Sequence, residues 1–231
     1  MSAPFRRRPA SARHAGASGC PRLALRYARN LHGATGRGLP EVAALVRWMS
    51  THAASLGLPD AEVSDEESSG PARGRGVGAE DWRKIGRLLR NAEARAPGQE
   101  DGIAAGWLRA LAAALDLDPA ETAIAELALH YRLDRRIERL FDAVSECRNG
   151  AHRFHRDTGL IAFLVGAFPA EVEARLMPDA RLLASGLLYV EQDGDIQVLD
   201  RITSLIRRGI AATRDLRDQL PALPQFAWIM P

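Results

Sequence analysis

Residues 157–200 decide the fold, and they read DTGLIAFLVGAFPAEVEARLMPDARLLASGLLYVEQDGDIQVLD. Asp157 is placed to cap a first helix, and Pro169 suits the first turn of a second one. Apolar residues recur at helical spacing in both segments: Leu160, Ile161 and Leu164, then Val172 and Leu176. Gly186 supplies the left-handed residue that ends helical structure. The stretch therefore predicts two short helices joined by a turn.

Two alternating runs follow, and they predict a β-hairpin. A three-residue loop at 192–194 places Val190 opposite Ile196 and Leu188 opposite Val198. These four aliphatic side chains then share one face of the hairpin. The other face carries Tyr189, Glu191, Asp195 and Gln197. A helix, a turn, a second helix and a hairpin form a winged-helix pattern.

The composition is typical of a mainly α-helical globular protein. Of 231 residues, 46% are hydrophobic and only 6% aromatic, which favours Leu- and Ala-rich helices. The two cysteines, Cys20 and Cys147, lie in different settings and do not suggest a disulfide framework, so we expect a reducing cytoplasm. No apolar run approaches the roughly 20 residues that cross a bilayer, and no secretory signal opens the chain. We expect a cytoplasmic protein without a membrane partner.

The chain divides into six expected regions. The first forty residues hold eight arginines and no acid, whereas residues 60–67 form an acidic run. The regions are a disordered basic arm at 1–20, a short helical segment at 21–58, a flexible linker at 59–78, a helical bundle at 79–150, a winged-helix-like domain at 151–208 and a C-terminal segment at 209–231. The linker is expected to separate the chain into two parts. For the arm, we favour a solvated tail or an over-long start over a transit peptide or a nucleic-acid-binding arm.

Amphipathic helices are expected throughout the bundle. Asp118 and Glu121 form a capping box around Pro119, and Asp134 caps the next helix. Asp200 is expected to cap a last helix after the hairpin. The apolar stripes are Trp82, Ile85, Leu88, Leu89 and Ala92; Ile103, Trp107, Leu108, Leu111 and Leu115; Ile124, Leu127, Ala128 and Tyr131; and Ile137, Leu140, Phe141 and Val144.

Catalytic motifs are absent from the sequence. Lys84 is the only lysine, and it lies inside a helix, so the chain has no GxxxxGK[ST] loop to cradle phosphates. We expect no catalytic residue and no cofactor in this chain. Cys147, His152 and His155 have the spacing and chemistry of zinc ligands. Because no second paired motif accompanies them, we favour a polar loop between two helices over a metal site.

Charge favours protein contact over DNA for the winged-helix pattern. Reading a DNA groove requires cations on the second helix and on the wing. The second helix instead mixes Glu171, Glu173 and Asp179 with Arg175 and Arg181. The wing tip carries Glu191, Asp193 and Asp195 and no cation of its own. The strongest argument for DNA is the arm that contains Arg6, Arg7 and Arg8.

Four phrases carry a resemblance to a known family. They read WLRALAAALDLDPAETAIAELALHYR, LIAFLVGAFPAEVEARLMPDARLLASGLLYVEQDGDIQVLD, RITSLIRRG and PQFAWIMP, within residues 79–231. This order resembles the region that precedes the ATPase module in a group of bacterial AAA+ ATPases. The resemblance implies a regulatory or substrate-contact module of an ATP-driven machine acting on proteins. The phosphate loop, the magnesium-binding acid and the sensing arginine would lie beyond Pro231, so none is carried over.

Two functions remain open from the sequence. The first is a non-catalytic N-terminal module of an AAA+ ATPase, in a truncated chain that contacts a protein partner or its own downstream ATPase domain. The candidate contact residues are Phe226, Trp228, Ile229 and Met230, since exposed apolar patches mark interfaces. The second is a winged-helix DNA-binding transcriptional regulator, complete in 231 residues.

Overall fold

The computed structural model describes residues 20–36, 39–58, 77–98, 102–150, 153–213 and 216. Within these ranges the chain is mainly helical, with one two-stranded antiparallel sheet, which confirms the predicted fold class. The elements are α1 Pro21–Ala34, α2 Pro40–Leu56, α3 Ala79–Arg95, α4 Ile103–Ala114, α5 Pro119–Leu133, α6 Arg135–Asn149, α7 Thr158–Val165, α8 Pro169–Arg175, α9 Arg181–Ala184, β1 Leu188–Val190, β2 Ile196–Val198 and α10 Asp200–Arg207. Every described helix is too short or too polar to cross a bilayer.

Three predicted helix caps are confirmed. The Asp118 carboxylate accepts the Glu121 N–H at 2.8 Å, and Glu121 in turn accepts the Asp118 N–H at 2.9 Å. Asp134 accepts the N–H of Arg136, and Asp157 accepts the N–H of Leu160. Each acid satisfies backbone groups that have no partner inside the helix, so it sets where the helix begins.

Other expectations about the helices are wrong in detail. Asp200 does not cap α10; it is the first helical residue, and Leu199 precedes it without a side-chain hydrogen bond. Ile103 opens α4 and is 39% exposed, because the first turn projects beyond the core. Tyr131 is only half-buried: its ring packs against Phe141 and Phe154, and its hydroxyl donates to Asp142 at 2.8 Å. An additional short helix, α9, lies between α8 and the hairpin.

The helices before residue 59 and those after residue 77 share one hydrophobic core, contrary to the expected division into two parts. Helix α1 packs against α3 and α7, and α2 packs against α6. The indole N–H of Trp48 donates to the Arg136 carbonyl at 2.8 Å, and Asn30 donates to the Leu164 carbonyl at 2.8 Å. The reason is the apolar face of α1, where Leu25 and Leu31 are completely buried. A separate two-helix pair has no partner to cover such a face.

The hairpin has the predicted register. Leu188 pairs with Val198 and Val190 with Ile196. One residue departs from the alternation: Asp195 was expected on the outward face but is buried, at 4% exposure. Residues 154–156 cover it, since His155 bridges to Asp195 and the Ile196 N–H donates to the Phe154 carbonyl at 2.7 Å.

The predicted arm up to residue 19, most of the linker and most of the C-terminal segment lie outside the described residues. These parts are residues 1–19, 59–76 and 217–231. Their predicted character, and the remaining domain boundaries, stay predictions. Cys20, which was expected in the disordered arm, is instead buried directly before α1.

Arg148 joins three helices through two carboxylates. It lies in the last turn of α6, and its Nη1 reaches Glu41 of α2 at 2.9 Å. Its Nε reaches Asp157, the cap of α7, at 2.9 Å. The Glu41 side chain is only 6% exposed, and its second oxygen has no hydrogen-bond partner among the described residues. Arg148 is therefore the cation that neutralises a buried acid.

Replacing Arg148 by Met is expected to lower the free energy of unfolding by about 3 kcal/mol, because removing one partner leaves the other charge buried and unpaired. Urea denaturation followed by circular dichroism measures the loss. Adding Glu41→Gln should restore part of it, since the amide carries no charge. Arg47→Met, on the exposed side of α2, is the control and should change stability by less than about 0.5 kcal/mol. Equal losses in the single and double variants would contradict the charge argument.

Candidate functional site

Most of the predicted contact residues lie outside the described part of the chain. Arg6, Arg7 and Arg8 do so, as do Phe226, Trp228, Ile229 and Met230, and so does the candidate zinc ligand His152. The two other candidate zinc ligands are described. Cys147 is exposed near the end of α6, and His155 is half-buried beside the hairpin.

The described residues do not bring Cys147 and His155 into a metal-binding group. Partial burial and the nearby Glu146 raise the pKa of the Cys147 thiol. Within the described ranges, the group of three or more metal-binding side chains whose ligand atoms all lie within 4.8 Å of one another is Glu191, Asp193 and Asp195, at the hairpin tip.

The hairpin tip is an ion-paired structure. Arg153 Nη1 lies 2.6 Å from Asp193 Oδ2 and 3.1 Å from Asp195 Oδ2. Gly194 has a φ of +88°, and a Cβ there would lie 2.7 Å from His155 Nε2. Glycine therefore allows the tip to close over the His155 ring. Sequence reasoning missed Arg153, because it comes from a segment about forty residues earlier in the chain.

The arginines near α8 are also used inside the fold. Arg175 Nε contacts Asp118 Oδ2 at 2.6 Å. Burial raises the pKa of the Asp118 carboxyl, but the Glu121 N–H and the Arg175 guanidinium outweigh this effect and hold the pKa below its usual value. Arg181 donates to Asp116. Both arginines of the second helix region thus bind carboxylates of the α4–α5 junction rather than pointing to a partner.

The solvent side of α8 is apolar and weakly acidic. Phe168, which precedes the helix, is 79% exposed, and Met177, which follows it, is 44% exposed. Ala170, Glu173 and Ala174 are the exposed residues between them on the same side of the helix. Sequence reasoning did not single out Phe168; its position directly before Pro169 was the available signal, because the residue before a helix projects from its end.

A cavity of about 600 Å³ lies between α1, α3, α4 and α5. His130 forms part of its wall and is 8% exposed. Its Nδ1 has no hydrogen-bond partner among the described residues. Burial lowers the pKa of His130 to about 4, because a charged imidazolium is costly away from water. Arg26 and Glu126, also in the wall, form an ion pair. His130 is thus neutral at physiological pH.

Comparison with known proteins found no relative. No protein-family model matches the chain, no curated protein matches it, and no solved structure matches its fold.

The buried His130 makes stability depend on pH. With a pKa of about 4 in the folded chain and about 6.5 in the unfolded chain, the unfolded state binds the proton first as the pH falls. The stability that comes from keeping His130 neutral is complete above pH 6.5 and is lost as the pH falls towards 4. Compared with pH 7, the free energy of unfolding of the wild type should fall more than that of His130→Gln. The extra loss should be about 1 kcal/mol at pH 5.5 and about 2.5 kcal/mol at pH 4.5.

Urea denaturation of both proteins at pH 7, 5.5 and 4.5 measures this difference. Comparison of the two proteins removes the contribution of the carboxylates, which titrate in both. NMR provides an independent check, since the His130 ring should stay neutral down to about pH 5. A His130 resonance that titrates near pH 6.5 would contradict the argument.

Proposed function

We propose that this chain is a non-catalytic regulatory or partner-contact module, of the kind that precedes the ATPase module in bacterial AAA+ ATPases. Its residues 151–208 act as a winged-helix-like unit that contacts protein. The resemblance described above supports the family. The charge and exposure of α8 support the type of partner.

The order of elements supports the winged-helix-like unit. After α6, residues 154–156 run alongside β2, and the Arg156 N–H donates to the Gly194 carbonyl at 3.0 Å. Helices α7, α8 and α9 follow, and then the hairpin. The hairpin thus pairs back with an extended segment that precedes the three helices. This order is consistent with a winged-helix-like unit. The wing is then the loop at 191–195.

The exposed side of α8 is the observation that carries the proposal. A helix that enters a DNA groove presents cations and hydrogen-bond donors to phosphates and base edges. Here Phe168 and Met177 flank a surface of alanines and one glutamate, and the cation of the helix, Arg175, binds Asp118. Exposed aromatic and Met side chains on a surface with few charged residues are typical of protein interfaces.

A winged-helix DNA-binding regulator is the second candidate. The feature that favours it is the arginine-rich arm, residues 6–8, which lies outside the described residues. The hairpin tip does not favour it, because Glu191 and Asp193 are exposed and Arg153 is already paired with two aspartates. An acidic wing repels phosphates.

The coding frame that follows codon 231 is expected to contain a Gly-rich loop ending in Gly-Lys-Thr or Gly-Lys-Ser, because the proposal requires an ATPase module. Sequencing the genomic DNA downstream of this codon is the measurement. An unrelated reading frame at this position would contradict the assignment to the AAA+ family and would favour the regulator.

Phe168→Asp is expected to weaken the contact with the ATPase module at least tenfold, since it replaces the 79% exposed aromatic side chain at the start of α8 by a charge. Titration calorimetry between the chain and the separately purified module measures the affinity. Ile103→Asp is the matched control: Ile103 is also an exposed apolar residue, but it opens α4. Equal affinities for both variants would show that α8 is not the contact surface. The melting temperature of each variant verifies that the fold is intact.

A further inference from the structure

Helices α1 and α3 concentrate positive charge on one side of the molecule. Together they carry eight basic and three acidic side chains, whereas the whole chain has 31 basic and 29 acidic residues. The two helices pack against each other. Arg26 and Arg29 of α1 are ion-paired with Glu126 and Glu93, so the excess positive charge of the two helices lies mainly on α3.

Three arginines of α3 form a row on this side. Arg83, Arg87 and Arg90 are exposed and lie at i, i+4 and i+7, so they project from one face along about 10 Å of helix. None of them lies within 4.0 Å of a carboxylate among the described residues. This contrasts with Arg153 and Arg175 of the hairpin unit, which are ion-paired.

The arginine row borders two adjoining cavities that form a groove. One, of about 380 Å³, is lined by all three arginines together with Trp82 and one carboxylate, Glu80. The other, of about 460 Å³, continues between α1, Arg90 of α3 and α7, and includes Arg29. Both cavities contain His32 and Arg90, so the groove is continuous. We call it the arginine groove.

An aromatic pair lies inside the arginine groove. The rings of His32 and Trp82 are stacked, with centroids 3.9 Å apart and an interplanar angle of 23°. His32 Nε2 donates to the Trp82 carbonyl at 2.8 Å, which fixes the ring. Gly86 makes this arrangement possible, because a Cβ at that position would lie 2.6 Å from His32 Cε1. Both rings are half-buried and remain partly accessible from the groove.

We propose that the arginine groove binds the phosphate backbone of nucleic acid without reading its sequence. A row of cations beside partly accessible aromatic rings is the combination that sequence-independent sites use, with guanidinium groups on phosphates and rings against bases. An acidic peptide would use the cations but not the aromatic pair. The groove ends at Ala167, next to Phe168, but none of the α8 residues named above lines it, so the inference does not rest on the proposed function.

The test measures binding of a fluorescein-labelled 20-nucleotide single strand and of the corresponding duplex by anisotropy, at 50 and 200 mM salt. The full chain carrying Arg6→Ala, Arg7→Ala, Arg8→Ala and Arg13→Ala is the reference, because these changes remove the four arginines of residues 1–20. In this background, Arg87→Glu with Arg90→Glu is expected to weaken binding at least tenfold. For the single strand, loss of two phosphate contacts should also reduce the magnitude of the slope of log K against log[salt] by about 1.4.

Arg47→Glu with Arg208→Glu is the matched control. Both residues are exposed and belong to other helices or their ends, and the net charge changes equally. We expect less than a twofold effect on binding. Equal loss in the two double variants would overturn the proposal, because it would show attraction by net charge alone.

Competition distinguishes nucleic acid from an acidic protein segment. Unlabelled oligonucleotide should displace the labelled strand at a much lower concentration than poly-L-glutamate with the same number of charges. Equal displacement by poly-L-glutamate would assign the groove to an acidic peptide and would overturn the proposal. Tighter binding of the single strand than of the duplex would indicate that bases stack on the aromatic pair. Equal binding would indicate that the groove contacts only the phosphate backbone. Either result supports the proposal only together with the tenfold loss of binding in Arg87→Glu with Arg90→Glu.

Discussion

The ion pairs of Arg148 connect parts of the chain that the sequence places far apart. Glu41 in α2 is buried and needs a cation, and Asp157 must be oriented to cap α7. One guanidinium at the end of α6 serves both acids. Because α2 packs on α6 and α7 packs on α1, this junction links the first two helices to the hairpin unit. The surfaces on α3 and α8 keep their relative position only while this shared core is intact.

The distribution of paired and unpaired arginines separates two surfaces. In the hairpin unit, Arg153 and Arg175 neutralise carboxylates, so that the unit presents apolar and acidic groups to solvent. On α3 the arginines have no such partners among the described residues, and they remain able to attract an anion. Residue type alone does not reveal this difference, since the same guanidinium group is structural in one place and available in the other.

The hairpin register and three of the helix caps were predictable, whereas much of the candidate site was not. Asp118 and Asp134 act on backbone groups within three residues of themselves, so sequence spacing is sufficient. Phe168 was not identified because its exposure depends on what covers α8. The arginine groove was not identified either, because it requires α1 and α3 to lie side by side across the segment 59–76.

The mainly helical class, most of the helix starts and the pairing of β1 with β2 follow from local sequence patterns. These features arise from interactions between near neighbours and from periodicities of 3.6 and 2 residues. Three other features are visible only in the folded chain: α1 and α2 join the main core, Asp195 is buried, and His130 is neutral. Each of these depends on contacts between residues distant in the chain, such as Asn30 with the Leu164 carbonyl. Helical periodicity indicates which face of a helix is buried, but it does not indicate which other element covers that face.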